Sequence, residues 1–237
     1  MSGSDRGQSH VVGIALLVGV TVISIAAITA SVGVLIDQQV ASADAIRVAD
    51  GMEAAFDPKG TSGVRRDRLP FADGTLRPVD RQLRLIDGTT VVRSIDTDAL
   101  VFTSGDQRVT FAAGAIMRGS AGEAWLHAKP MITAPPNGST LIVGAPVIGT
   151  PDTVSGSGTT VTIEQNVTHE RSVIGNATDA VSIETTTPGP LSWYFSERGA
   201  AVERQDLDGD GVESIIVTFR GERQTYLIVH ELNVEVI

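Results

Sequence analysis

Asp206-Leu207-Asp208-Gly209-Asp210-Gly211 sets three carboxylates at alternate positions and interrupts them with glycines. That spacing turns side-chain oxygens toward one point, which is what a hard cation such as calcium requires of a loop. An EF-hand needs a bidentate Glu at its twelfth position; here that place is Val217, so the EF-hand pattern is not met. Glu213 or main-chain carbonyls then complete a looser candidate calcium site, one that stiffens an exposed loop rather than catalyses. The same residues also spell an acidic turn between two strands, because Asp and Gly favour turns for local reasons.

Asn137-Gly138-Ser139, Asn166-Val167-Thr168 and Asn176-Ala177-Thr178 are N-x-Ser/Thr triplets, and they use three of the four asparagines. They point to glycosylation on an exported surface, although a chain rich in Thr also yields such triplets by chance. His10, His127, His169 and His230 are the only histidines, and none stands at metal-ligand spacing from another. Ser155-Gly156-Ser157-Gly158 lacks the Gly-x-Ser-x-Gly frame of a nucleophile elbow, and no phosphate-binding glycine loop occurs. Trp125 and the Trp193-Tyr194-Phe195 cluster read as core or as a sugar-stacking platform. No catalytic constellation emerges, and the chain reads as a non-enzyme.

The elements that must position these residues begin with Val11–Ile36, which holds no charged residue. As a helix it is roughly 39 Å long, against a hydrocarbon core of about 30 Å. A helix also satisfies every backbone group within the segment, so the run predicts a membrane span. A secretory signal has a shorter apolar core, about 7–15 residues, with a cleavage site behind it; this run is read as retained. Arg6 precedes it and Asp37, Asp44 and Asp50 follow, which predicts a single-pass protein with a cytoplasmic N-terminus and its C-terminal domain outside. Ala15 and Gly19, Ala26 and Ala30, and Ala27 and Ser31 place small residues four apart, a face on which helices approach closely.

Past Ile36, Ala41, Ala45, Val48, Met52 and Phe56 share one helical face, with Asp44 and Ile46 as imperfections. Asp57-Pro58 and Gly60 stop this stem. Residues 61–80, with Pro70, Gly74 and Pro78, read as a loop-rich linker. From Gln82 onward, short apolar runs alternate with turns, broken once by a short helix over Pro190–Arg198. Many short strands of this kind predict a β-sandwich or a barrel-like domain.

The net charge of −10 disfavours nucleic acid, whose binding depends on Lys and Arg contacts to phosphate. Lys59 and Lys129 are the only lysines, and abundant Asp with scarce Lys fits a halophile surface. With no cysteine, disulfides, thiol catalysis and Cys-based zinc sites are excluded.

Arg6-Gly7-Gln8-Ser9-His10 running straight into Val11-Val12-Gly13-Ile14-Ala15-Leu16-Leu17 resembles the N-terminus of haloarchaeal type IV pilin-like proteins and archaellins, which carry class III signal peptides. The resemblance implies cleavage between Gly7 and Gln8 by a prepilin peptidase, with the helix kept on the mature protein. Bacterial pilins place a Glu five residues into the mature chain; here that position is Val12, a departure that archaeal relatives share. The rest of the chain resembles a poorly characterised haloarchaeal family of secreted, β-rich pilin-like proteins, and no activity comes with that likeness.

The expected architecture is therefore pilin-like. It has a leader (1–7), a membrane-spanning α-helix (8–36), an amphipathic stem (37–58) and an extracellular, mainly-β domain (59–237). The expected role is an exported, membrane-anchored, pilin-like surface protein whose partners are the lipid bilayer, the prepilin peptidase and other pilin subunits, as a minor or major filament subunit. The alternative is a surface protein that never polymerises and binds a glycan, a protein or calcium.

Overall fold

The computed structural model describes residues 5–57, 62–120, 122–135, 138–175 and 178–237, without the side chains of 5–13, 30, 31, 34 and 159. Helix α1 covers Asp5–Ala55. The strands are β1 (Gly63–Val79), β2 (Gln82–Asp87), β3 (Thr90–Asp96), β4 (Ala99–Ser104), β5 (Gln107–Ala112), β6 (Ala115–Ser120), β7 (Glu123–Ala128), β8 (Ile132–Thr133), β9 (Thr140–Val147), β10 (Val154–Gly175), β11 (Ala180–Glu184), β12 (Ala201–Gln205), β13 (Ser214–Thr218), β14 (Gln224–Glu231) and β15 (Val234–Val236). Helix α2 (Pro188–Ser196) lies between β11 and β12. The chain divides into two compact units, Met1–Val40 and Ala41–Ile237.

In the first unit the apolar side chains of α1 are exposed on every side, Leu17 and Ile23 each at 70%. Its hydroxyls bond inward: Thr21, Ser24 and Thr29 donate to the carbonyls of Leu17, Val20 and Ile25 at 2.7–2.9 Å. The expectation of a membrane-spanning helix over 8–36 does not hold. Among the described residues, no helix is long and apolar enough to cross a membrane.

The second unit is mostly β and has three layers. A ten-stranded sheet runs β7-β6-β5-β4-β1-β10-β14-β9-β8, with β15 also on β10, and a five-stranded sheet runs β12-β13-β11-β2-β3. Both sheets are open along the described strands, so neither is a barrel. Every pairing is antiparallel except β14 with β9. One core lies between the sheets, where Leu83, Leu85, Val181, Ile183 and Ile215 meet Met117, Leu141, Val143 and Leu227. The other lies on the far face of the large sheet, where Val48 and Met52 of α1 and Phe56 just past its end cover Leu69, Phe102, Phe111 and Ile163. Strands β4 and β5 are thus buried on both faces, which is why they read as continuous apolar runs.

The linker expected over 61–80 is instead β1, paired with β10 from Gly63 opposite Val167 to Leu76 opposite Val154. Its turn-forming residues have other reasons. A Cβ on Gly74 would sit 2.5 Å from the Phe102 ring, so the close approach of that ring demands glycine. Pro70 lies two residues before Ala72, whose amide points to the side of β1 away from β10, so the proline ring replaces no ladder bond to β10.

Candidate functional site

Strands β12 and β13 form a hairpin, and the acidic run is its turn. Asp206 accepts the amides of Gly209 at 2.7 Å and Gly211 at 3.0 Å, and Asp210 accepts that of Val212 at 2.7 Å. These bonds hold the Asp206 carboxyl below its ordinary value. Carboxylate oxygens of Asp206, Asp208 and Asp210 come within 4.8 Å of one another; Glu213 is not part of that group. All three are already engaged, Asp206 and Asp210 by amides of their own turn and Asp208 by Arg84.

Arg84, on β2, is buried and reaches three partners: Asp208, Glu184 at 3.5 Å and the Ser214 hydroxyl at 3.3 Å. Arg81 also reaches Glu184 at 3.5 Å. The carboxylates of Asp80, Asp96, Asp98, Glu184, Asp208 and Asp210 thereby line one cavity of about 360 Å³ beside Arg81. Burial raises the Glu184 carboxyl above its ordinary value; Asp210 and Asp208 push the same way, and Arg81 and Arg84 oppose them. Burial, then Asp80, likewise raises Asp98. Asp80, Asp96, Asp98 and Glu184 were invisible as a group in the sequence because four separate segments supply the cavity. The arrangement can hold a hard cation, with Arg81 and Arg84 already neutralising part of its charge.

The other expected residues scatter. Asn166 is exposed on β10, open to modification; Asn137 and Asn176 lie outside the described residues. Gly7 and Gln8 fall within α1, and their side chains are outside the description. The register of β10 on β14 sets His169 against His230, with Nδ1 to Nδ1 at 2.9 Å. His127 faces Asp50 and Glu53 of α1 at 3.3 Å each. Trp125 and Trp193 are exposed, the first under the Arg118 guanidinium, while Tyr194 and Phe195 are buried in the core between the sheets.

These features define a class of protein: an exposed apolar helix leading into a three-layer, mostly-β unit with an acidic hairpin. The chain belongs to the family described as "Family of unknown function (DUF7289)", whose model matches residues 6–235. No curated protein and no solved structure matches it significantly.

Proposed function

We propose that the protein is an exported, pilin-like surface subunit that assembles through its N-terminal helix. One observation carries this reading: the large apolar side chains of α1 from Ile14 to Ile28, together with Val32, Leu35 and Ile36, lie on every side of the helix and are exposed. A helix apolar all round belongs in an apolar surrounding. Each Leu, Ile or Val left in water forgoes about 1.5–3 kcal/mol of burial. Packing against copies of the same helix recovers that energy, and Ala15 and Gly19 offer a small face for close approach. The hydroxyls of Thr21, Ser24 and Thr29 bond inward to the helix's own carbonyls, so these three present no unmet donor to that surface. The Gly7–Gln8 junction supports removal of the leader before assembly.

Because the chain has no cysteine, a single Ala15→Cys substitution reports on helix contact without background. On intact cells we expect covalent dimers under mild oxidation, a mature chain that begins at Gln8 by mass spectrometry, and the protein in sheared surface filaments. A chain that stays uncut, yields no dimer and is absent from sheared material overturns the proposal. The acidic hairpin favours one addition, calcium held by Asp206, Asp208 and Asp210 as a stiffener of the outer surface.

A further inference from the structure

A cavity of about 750 Å³ in the second unit is lined by no residue of the acidic turn itself and has an opposite character. Its floor is one row across four strands. Thr103 of β4 pairs with Arg108 of β5, Arg108 with Gly119 of β6, and Gly119 with Ala124 of β7. Small neighbours on both sides leave the Arg108 guanidinium uncovered by larger side chains. Gly119 is fixed by its own backbone, since a Cβ there would lie 2.1 Å from the Glu123 carbonyl oxygen. The facing wall is the segment leading into α2, Thr186 to Pro190, together with Arg204 of β12.

Two cations thus converge on one cleft of a protein whose net charge is −10. Among the described residues neither forms an ion pair: Arg108 donates to the Thr186 hydroxyl at 3.2 Å, and Arg204 to the Ser192 hydroxyl at 3.4 Å. Hydroxyl partners aim a guanidinium without neutralising it, which leaves its charge for an anionic ligand. Asp106 also lines the cleft, and Gln107 donates to its carboxylate at 3.3 Å. Trp193 stands one helical turn beyond Gly189 and Pro190, which line the wall, and it is 65% exposed. A large indole left in water beside a polar cleft is a stacking surface without a partner.

The geometry points to a binding cleft for an acidic oligosaccharide, one bearing uronate or sulfate groups. The guanidiniums of Arg108 and Arg204 take the charged groups, the Thr and Ser hydroxyls take sugar hydroxyls, and Trp193 stacks on a ring at the rim. The volume lies within the range of about 300–1,000 Å³ typical of ligand pockets and is far more than a lone oxyanion fills.

Calorimetry on the full chain tests this, in a detergent without a sugar headgroup and at constant ionic strength. The probes are trigalacturonate, a chondroitin sulfate tetrasaccharide, uncharged maltotriose, sodium sulfate and tetraglutamate. We expect at least one acidic sugar to bind about tenfold or more tightly than maltotriose, sulfate alone and tetraglutamate. Arg108→Gln and Arg204→Gln should each weaken that binding about tenfold, and Trp193→Ala should weaken the sugar without changing the response to sulfate. Arg204 is exposed at the sheet edge, so its variant keeps the test decisive if Arg108→Gln unfolds. Equal affinity for maltotriose or tetraglutamate, sulfate binding as tight as the sugars, no binding at all, or affinity unchanged in Arg204→Gln each overturn the assignment.

Discussion

Asp44 breaks the apolar face of the α1 stem, and its environment explains why. It is fully buried, and its carboxylate accepts the amides of Ala72 at 2.7 Å and Asp73 at 3.0 Å and the guanidinium of Arg47 at 2.9 Å. The aspartate is a bracket that ties helix to strand at the edge β10 leaves open. Removing it strands two amides, each costing about 1–3 kcal/mol when unsatisfied and buried. Asp44→Ala should therefore lower stability by about 3 kcal/mol in urea unfolding, with Asp44→Asn recovering part; an unchanged midpoint refutes the bracket. Arg84 makes the complementary case. Without it, Glu184 keeps a buried charge whose nearest remaining cation is Arg81. Breaking such a pair typically costs about 3–5 kcal/mol, so Arg84→Met should lose about that much at neutral pH. The loss should shrink as the pH falls from neutral toward the ordinary glutamate range, because Glu184, raised by burial and raised further without Arg84, takes its proton above that range and no longer needs its partner. A deficit independent of pH would assign the effect to packing alone.

At the scale of elements, the strand register creates a titrating pair that spacing along the chain does not reveal. His169 and His230 are far apart in sequence, and the pairing of β10 with β14 brings their rings to 4.9 Å, edge to face. A bond between two Nδ1 atoms requires one donor and one acceptor, so it cannot survive with both rings charged. Burial first, then His169 and Arg171, lower His230 from 6.5 to about 4. Folding thus favours its neutral form: the stabilisation is fully present above pH 6.5 and is lost as the pH falls toward 4. Thermal unfolding across that window should show a steeper fall for the parent than for His230→Gln, and parallel curves would remove His230 from the account. Legibility follows the same physics. Strands β4, β5 and β11 are visible in the sequence because burial on both faces leaves continuous apolar runs. Strand β1 is not, because Pro70 and Gly74 look like turn residues until Phe102 and the open edge are known. The acidic hairpin is local and can be read directly, whereas Asp80, Asp96, Asp98 and Glu184 reach its cavity only through the sheet topology. The exposure of Ile14 to Ile28 is likewise a fact of three dimensions; the residue letters show only that the stretch is apolar.

For the whole molecule, the position of the stem decides where the chain can be cut. Hydropathy suggests that the β domain starts near residue 59, after the stem ends. Packing says otherwise: the second compact unit begins at Ala41, and Val48, Met52 and Phe56 are buried in a core shared with the large sheet. At about 1.5–3 kcal/mol for each large apolar side chain buried, these three contribute roughly 5–9 kcal/mol. Total stability of a domain is commonly about 5–15 kcal/mol. Losing the stem would also expose Leu69, Phe102 and Phe111, now covered, as an apolar patch that invites association. A chain that starts at Ala41 keeps both cores and discards the exposed apolar helix. It should therefore unfold cooperatively and sediment as a monomer, whereas a chain starting at Lys59 should aggregate or fail to fold. Circular dichroism and sedimentation velocity on the two truncations check this directly. A stable monomer from residue 59 would show that the stem only rests on the sheet. Self-association that persists in the chain from Ala41 would move the assembly surface off the N-terminal helix and onto the β layers, against the function proposed above.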